Sequence, residues 1–348
     1  MKTILVTGGC GFIGSHFVRL LCSERSHRVV NLDKLTYAGN LTNVADITSG
    51  NYLFVKGDIC DQDLLNHLVE KEKPWAIVNF AAESHVDRSI LDAKPFLETN
   101  IVGVQSILES IRKFPIERFI HISTDEVYGD RSGKESASEQ SPVVPSSPYA
   151  ASKAAADLLC FAYHRTFGLP TIVTRSSNNY GPYQLPEKLI PLLIRNALDG
   201  MPLPIYGDGK QIRDWLFVED NCRAILGVLQ KGQIGSIYNI GTTEERSNRD
   251  VVEAIGSILS ERKGIPLDKI KERVESVADR PGHDRRYAIK SSKIRQEIGW
   301  TPTVNFISGL TRTVDWYLSH SDWISRVVSG EYRNYYDSVY ERTWNMRG

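Results

Sequence analysis

The sequence lacks a charge imbalance and a long apolar run. Lys and Arg total 42 and Asp and Glu total 42, so the formal net charge is zero and no basic field favours nucleic acid or an anionic membrane. No apolar run reaches the roughly 20 residues of a membrane span. The apolar stretch in residues 1–9 is too short for a signal peptide, so we expect none. We therefore expect no nucleic-acid partner and no membrane partner.

Cysteine is also scarce, with five residues at Cys10, Cys22, Cys60, Cys160 and Cys222. Their odd number and the absence of CxxC spacing argue against a disulfide framework and against a zinc site. We expect no metal and a reducing, cytoplasmic location. The 348 residues, 41% hydrophobic and 24% charged, are typical of a globular chain with about two domains or one large one.

Apolar and amphipathic runs alternate over the first 180 residues. Strands are predicted where continuous apolar runs are bounded by Gly, Asp, Asn or Pro, at 3–7, 28–32, 52–56, 75–80, 118–123 and 171–175. Helices are predicted near 12–24, 61–71, 95–113 and 148–167. This alternation predicts βαβ units and an α/β fold with a doubly wound parallel sheet of Rossmann type.

The pattern loosens after residue 180, where glycines and prolines interrupt the chain. A helix near 219–230, a strand near 236–240 and a helix near 248–262 predict a smaller α/β lobe. We divide the chain into residues 1–180, to which segments near 211–241 return, and a lobe with a C-terminal tail at 181–348. The aromatic residues of the tail predict that it packs against the body: Trp323, Tyr332, Tyr335, Tyr336, Tyr340 and Trp344.

A glycine-rich loop links the first predicted strand to the first predicted helix. Gly8, Gly11 and Gly14 permit a tight turn, close approach of a pyrophosphate and close packing of helix on sheet. The N-terminus of the helix then offers free N–H groups to phosphates. This strand–turn–helix context predicts a dinucleotide site rather than a structural turn, and the GxxGxxG spacing, which differs from GxGxxG, points to the short-chain dehydrogenases.

An acidic residue at the end of the second strand favours NAD over NADP. The carboxylate of Asp33 can accept hydrogen bonds from the adenosine ribose and repels a 2′-phosphate. Lys34 follows directly and could soften that repulsion. Asp58, after the third strand, could reach the adenine or could be an acid in a surface turn. NAD is the predicted cofactor.

Tyr149 and Lys153 are four residues apart at the predicted start of a helix, so they share a face. Ser147 is a candidate N-cap and Pro148 suits the first helical position. A tyrosine can act as a base near neutral pH only if its pKa of about 10 is lowered. A nearby ammonium group and the positive helix end both favour the phenolate, so the spacing predicts a catalytic pair.

Two adjacent acids follow the fifth predicted strand, in the triplet Thr124-Asp125-Glu126. Ligands of such sheets bind at the carboxyl ends of the strands. Like charges in a partly buried place should raise the pKa of at least one acid, which would set a general acid beside a general base. Consecutive strand residues point to opposite faces, so both acids meet one ligand only if the strand ends at Thr124.

At this point the chain resembles the extended short-chain dehydrogenase/reductase family, and among its members the nucleoside-diphosphate-glucose 4,6-dehydratases. The resemblance covers nearly the whole chain, and the Thr-Asp-Glu triplet separates it from related epimerases. Besides the glycine loop, the triplet and the Tyr/Lys pair, it is carried by residues 80–87, 175–182, 186–189, 211–214 and 279–284.

The resemblance implies a lyase reaction on a sugar nucleotide. Tyr149 would take the proton of the 4-hydroxyl while hydride passes from C4 to NAD. Glu126 would then remove the C5 proton and Asp125 would protonate the departing 6-hydroxyl, with Thr124 bonded to the 4-oxygen. Hydride would return to C6 and a proton to C5. The expected substrate is dTDP-glucose, although no residue that reads the base can be identified, and an epimerase or a dehydratase of another sugar nucleotide stays open.

The resemblance also implies the binding residues. The expected contacts of NAD, beside the glycine loop, are Phe12, Ile13, Asp33, Lys34, Leu35, Thr36, Asp58, Ile59, Ala81, Ala82, Thr99, Tyr149, Lys153 and Asn179. The expected contacts of the sugar nucleotide are Ser84, Thr124, Asn178, Lys188, Leu189, Pro204, Ile205, Tyr206, Arg213, Asn248, Arg280 and His283.

Several of these side chains have plainer alternatives. Arg213 and Arg280 could grip a diphosphate or could pair with a neighbouring Asp. His283 could be a loop histidine with its own partner, Asn248 a helix cap, and Tyr206 a core residue. Apolar residues surround the helix near 148–167, so we expect a homodimer formed through this helix and the one near 95–113.

Overall fold

The computed structural model describes residues 1–328, and the predicted tail aromatics from Tyr332 to Trp344 lie outside this range. A seven-stranded parallel sheet in the order β10-β6-β5-β4-β1-β2-β3 forms the centre. Its strands are β1 (Lys2–Thr7), β2 (His27–Asp33), β3 (Tyr52–Lys56), β4 (Ala76–Asn79), β5 (Arg118–Thr124), β6 (Thr171–Ser176) and β10 (Ile237–Ile240). The predicted doubly wound α/β class is confirmed.

Thirteen helices are found among residues 1–328. Those of the first half are α1 (Phe12–Glu24), α2 (Gln62–Glu72), α3 (Val86–Leu91), α4 (Lys94–Leu97), α5 (Gly103–Lys113) and α6 (Pro148–Phe167). The remaining ones are α7 (Leu189–Asp199), α8 (Val218–Lys231), α9 (Asn248–Lys263), α10 (Leu267–Lys271), α11 (Ser292–Glu297), α12 (Phe306–Ser319) and α13 (Ser321–Val327). No helix in this range has the length and apolar character to cross a membrane.

Five short strands build the smaller lobe. The strands β7 (Asn178–Tyr180), β9 (Ile212–Phe217) and β11 (Glu245–Ser247) form one sheet, and β8 (Leu203–Tyr206) pairs with β12 (Val274–Val277). Helices α7, α9 and α12 pack around them over a second apolar core. The strand β9, which carries Arg213, pairs in parallel with β7.

The helix predicted near 95–113 is interrupted. Residues Glu98–Val102 form a wider π-helical turn between α4 and α5. The turn directs the fully buried amide of Asn100 inward, where it bonds the backbone N–H and carbonyl of Glu83 and the hydroxyl of Ser152. Such turns are often found at functional sites, and here the turn places Thr99 beside the glycine loop.

The helix α7 lies in a segment where the prolines indicate only interruption. Pro191 is the third residue of α7. In the first turn the missing N–H of proline has no partner to lose, so the residue is tolerated. The apolar side chains Ile190, Leu193 and Ile194 then pack into the core of the smaller lobe.

Candidate active site

The glycine loop shapes one end of a long cavity. Gly8 has φ +72°, and a Cβ there would lie 2.5 Å from the backbone nitrogen of Ala81. The N-cap of α1 is Gly11, which has no side-chain cap, and the first turn of α1 contains no acid. Because the first N–H groups of a helix lack partners in the helix, this end of the cavity suits an anionic group.

The side chains at the ends of β2 and β3 are arranged around Asp33. Its carboxylate accepts hydrogen bonds from the backbone N–H of Cys10 and of Leu35, both at 2.8 Å. Lys34 pairs with Asp58 at 2.6 Å. The ammonium that could soften the repulsion of a 2′-phosphate is therefore engaged by a second carboxylate.

We call this space the first cavity. Its two parts share walls at Gly8, Gly11, Ala38, Phe80 and Ala82, so they are continuous. The predicted cofactor residues on its walls are Gly8, Gly11, Phe12, Ile13, Gly14, Asp33, Lys34, Thr36, Asp58, Ile59, Ala81, Ala82, Thr99, Tyr149 and Lys153. Leu35 is not on these walls, and Asn179 lines a neighbouring cavity instead.

Helix α6 presents the Tyr/Lys pair to the first cavity. The helix begins as predicted, with Pro148 first and the Ser147 hydroxyl accepting from the Ala150 N–H. Burial raises the pKa of Tyr149, helped by the charge of Glu126 and opposed by a hydrogen bond with Thr124. Tyr149 is therefore protonated at neutral pH in the structure.

Lys153 lies one turn along α6 and is also buried. Its Nζ donates to the carbonyl of Ile122 at 2.6 Å. Burial lowers the pKa of Lys153 to about 8, against the opposing charge of Asp157. The ammonium form is thus in balance with the neutral amine near physiological pH, so its charge responds to what binds beside it.

The strand β5 ends at Thr124, and a 3₁₀ turn begins at Asp125. The strand thus ends at the residue that the sequence argument requires if both acids are to approach one ligand. The Thr124 hydroxyl accepts from the Glu126 N–H at 3.2 Å, and Glu126 lies on the wall of a second cavity. Asp125 is buried beneath this wall rather than on it.

The environment of Asp125 favours its protonated form. Burial raises the pKa of this carboxyl well above its usual range, and the charges of Glu126 and Asp214 act in the same direction. Its Oδ2 is buried without a hydrogen-bond partner among residues 1–328. The turn therefore holds a protonated acid beside Glu126, as the sequence argument expects for one member of the pair.

The second cavity lies between the sheet edge and the smaller lobe. It meets the first cavity along Ser84, Gln184, Glu187 and Lys188. The predicted substrate residues on its walls are Ser84, Asn178, Lys188, Leu189, Pro204, Tyr206, Arg213, Asn248, Arg280 and His283. Ile205 is buried in the core of the smaller lobe, and Thr124 lies beside Tyr149 instead.

Two cations in this second cavity have no carboxylate within ion-pair distance among the described residues. Arg213, only 5% exposed, donates to the carbonyl oxygens of Ile212 and Asp284. The Nζ of Lys188 donates to the carbonyl of Ser84 at 2.9 Å. Burying cations without a counter-ion is costly, so this end of the cavity favours an anionic ligand.

The plainer alternatives hold in part for the remaining side chains. Arg280 pairs with Asp87 at 3.1 Å, and the hydroxyl of Tyr206 donates to the other oxygen of Asp87. Nδ1 of His283 lies 2.5 Å from Asp279. The cap of α9 is Ser247, and Asn248 is the first residue of that helix. All four predicted residues nonetheless line the second cavity.

The sequence argument missed other residues of the second cavity, namely His85, Val86, Asp87, Gln184, Glu187, Ile190, Leu192 and Trp215. One signal was available, since residues 85–87 follow β4 at the carboxyl edge of the sheet, where ligands bind. Gln184 and Glu187 lie in a segment with turn-like composition, which gave no such signal.

Known proteins resemble this chain closely. A family described as GDP-mannose 4,6 dehydratase matches residues 5–313. A dTDP-glucose 4,6-dehydratase of Xanthomonas campestris is 51% identical, covering 96% of this chain and 98% of that protein. A dTDP-glucose 4,6-dehydratase of Streptomyces venezuelae, solved with NAD and dTDP, is 48% identical with TM-score 0.88, covering 94% of this chain and all of the other. The Bacillus anthracis enzyme, solved with NAD, is 46% identical with TM-score 0.86 and the same coverage.

Proposed function

The chain belongs to the GDP-mannose 4,6-dehydratase family, and we propose that it is a hydro-lyase that converts dTDP-glucose to dTDP-4-keto-6-deoxyglucose and water with catalytic NAD. Close relatives named dTDP-glucose 4,6-dehydratase support this activity. One structural observation carries the proposal: the Thr124-Asp125-Glu126 turn places an acid held protonated beside a second carboxyl at a cavity wall, next to the Tyr149 hydroxyl.

The first cavity fits NAD by its chemistry. An uncapped helix N-terminus with no acid in its first turn suits a pyrophosphate. The Asp33 carboxylate at the end of β2 suits a ribose with free hydroxyls. When bound, NAD supplies a reversible two-electron acceptor for C4 of the hexose. We propose that the wall residues named above hold it.

We propose that Tyr149 holds and moves the proton of the 4-hydroxyl. Its buried hydroxyl is neutral in the structure, so it can accept that proton only as the phenolate, after losing its own proton, and positive charge nearby favours that loss. Lys153 supplies charge from the next turn of the same helix, and its pKa of about 8 makes that charge responsive. Thr124, which is hydrogen-bonded to Tyr149, orients the 4-oxygen of the hexose.

We propose that the two acids divide the elimination. Loss of water across C5 and C6 requires one proton removed from carbon and one delivered to the departing hydroxyl. Asp125, held in the protonated form by burial and by Glu126, is suited to deliver a proton. Glu126, on the cavity wall, is suited to remove the C5 proton.

The cationic end of the second cavity supports a diphosphate ligand. All the hydrogen bonds that Arg213 and Lys188 donate within the described chain go to carbonyl oxygens, and Arg213 also lies over the ring of Tyr287, so a pyrophosphate would supply the missing negative charge. Arginine can bind phosphate oxygens through two parallel hydrogen bonds. We propose that these residues fix the sugar nucleotide, with its hexose towards Tyr149.

Product analysis by NMR tests the activity. The protein is incubated with dTDP-glucose and, separately, with UDP-glucose. We expect the 6-hydroxymethyl signals of dTDP-glucose to disappear, and signals of a C6 methyl group and of a C4 carbonyl group to appear. A product inverted only at C4 would identify an epimerase and contradict the proposal.

Cofactor preference can be predicted from Asp33. A 2′-phosphate would approach a carboxylate whose neighbouring ammonium is already paired with Asp58. We expect NADP to bind the NAD-depleted chain at least tenfold more weakly than NAD. Asp33→Asn should reduce the ratio of the Kd of NADP to the Kd of NAD about tenfold, since a charged hydrogen bond contributes about 1.5–3 kcal/mol. Calorimetry with both nucleotides measures the ratio, and equal affinities in the unaltered chain would contradict the assignment.

We further propose that the chain forms a homodimer through α5 and α6. Large apolar side chains are exposed on and beside these helices: Leu158 is 61% exposed on α6, and Leu97 at the end of α4 and Val102 in the π-helical turn before α5 are about half exposed. Adjacent exposed apolar side chains are typical of protein interfaces. Water would be excluded from them by a second copy.

Light scattering tests the dimer directly. We expect twice the chain mass for the unaltered protein and a shift to the monomer for Leu158→Glu, because a charge would be buried in the interface. Ile307→Glu is the matched control, since Ile307 is 53% exposed on α12, away from α5 and α6. A monomeric parent protein, or equal dissociation by both variants, would refute the proposed interface.

A reducing compartment, and so the cytoplasm, is also proposed. All five cysteines are free thiols in the structure, and four of them are buried. Burial raises the pKa of Cys10 to about 12, so its thiol stays protonated. Free thiols without a disulfide are typical of proteins that work in reducing surroundings.

A further inference from the structure

Gln184 lies where the two cavities meet. It belongs to the segment between β7 and α7, and the residue lines both the first and the second cavity. The residue is only 7% exposed, so more than nine-tenths of it is buried. Neither the sequence argument nor the proposed reaction uses it.

The orientation of the Gln184 amide is fixed by its neighbour. Its Nε2 donates to the backbone carbonyl of Asn179 at 2.9 Å. A carbonyl can only accept, so the NH₂ group must face Asn179 and Oε1 must face away. That oxygen is buried and has no hydrogen-bond partner among residues 1–328. Buried acceptors in native proteins are nearly always paired, so this oxygen is available to a donor.

Two helices of the smaller lobe hold the backbone of this segment. The hydroxyl of Tyr317 on α12 donates to the carbonyl of Gln184. The ring of Tyr183 packs on Trp316 at 4.6 Å and on Trp323 at 6.0 Å. Nε2 of His16 lies 3.0 Å from the carbonyl of Pro182. The acceptor is therefore held in place before any ligand binds.

We propose that Oε1 of Gln184 accepts a hydrogen bond from an N–H or O–H group of a ligand at the junction of the two cavities. The inference rests on the proposed function for the identity of the ligands. Two sources offer such a donor there: the carboxamide of the cofactor and a hydroxyl of the hexose. In either case Gln184 is a binding residue that fixes where the redox partner and the sugar meet.

Equilibrium binding separates the two sources. The first arm measures the Kd of NAD for the NAD-depleted protein. The second compares dTDP-glucose with dTDP in a Tyr149→Phe background, so that the sugar nucleotide binds without reacting. Each is repeated with Gln184→Met, which keeps the length but lacks an acceptor, and with Gln184→Glu, which keeps one. Gln184→Leu replaces Gln184→Met if that variant does not fold.

We expect Gln184→Met to weaken binding about tenfold in one of the two arms, as for the loss of one hydrogen bond and its buried partner. Gln184→Glu should recover part of that affinity. Weaker binding of NAD assigns the cofactor, and weaker binding of dTDP-glucose but not of dTDP assigns the hexose. Affinities within twofold in both arms, or equal losses for Met and Glu, would overturn the proposal. Because these measurements need no turnover, they can fail while the dehydratase activity stands, and the reverse.

Discussion

Replacement of Glu126 by Gln should stop the loss of water while leaving oxidation at C4 largely intact. The turn at 125–128 places this carboxylate on the wall of the second cavity. An amide of the same shape cannot remove the C5 proton. We expect the rate of dehydration to fall by roughly 10²- to 10⁴-fold, the range for loss of a general base.

The signature of this variant is spectroscopic. If oxidation proceeds and elimination does not, reduced cofactor should accumulate on the protein after dTDP-glucose is added, which is visible as near-ultraviolet absorbance. Asp125→Asn is the matched variant one residue away. It removes the acid that burial holds protonated and should also slow elimination more than oxidation. Full dehydratase rates in Glu126→Gln would remove this residue from its role.

Replacement of Tyr149 by Phe should abolish the oxidation itself. The hydroxyl is buried on α6 beside Thr124, where no other described tyrosine lines the first cavity. Without it the proton of the 4-hydroxyl has no acceptor, so we expect the overall rate to fall by roughly 10²- to 10⁴-fold. In contrast to Glu126→Gln, reduced cofactor should not accumulate.

Stopped-flow absorbance after mixing with dTDP-glucose distinguishes the two variants. Tyr52→Phe is a suitable control. The Tyr52 hydroxyl accepts a hydrogen bond from Asn31 of β2, and Tyr52 lies on the wall of neither cavity. It should keep its activity. If Tyr149→Phe forms reduced cofactor as quickly as the unaltered protein, the proton must leave through another group.

The central sheet could be predicted from the sequence because its signals are local. The buried strands are short apolar runs that end in turns, and helix α6 starts with the recognisable residues Ser147 and Pro148. Helix α12 was not predicted but could have been, since its buried residues Phe306, Leu310, Val314 and Tyr317 recur at helical spacing. Helix α7 was hidden because Pro191 in a first turn looks like an interruption.

The candidate site was predictable only in part, since its geometry depends on contacts distant in sequence. The adjacent acids could be found, but their joint use depends on β5 ending at Thr124. Gln184 and Trp215 could not be found, because they come from the smaller lobe and nothing local shows that they face a cavity. The pairing of Lys34 with Asp58 is equally non-local.

Turnover of dTDP-glucose in deuterated water, with the product examined by NMR, tests the central claim most directly. If Glu126 and its protonated neighbour Asp125 eliminate water across C5 and C6, the C5 position of the 4-keto-6-deoxy product must exchange with solvent and carry deuterium. A product formed with its original hydrogen at C5, or a hexose altered only at C4, would contradict the division of labour between the two acids.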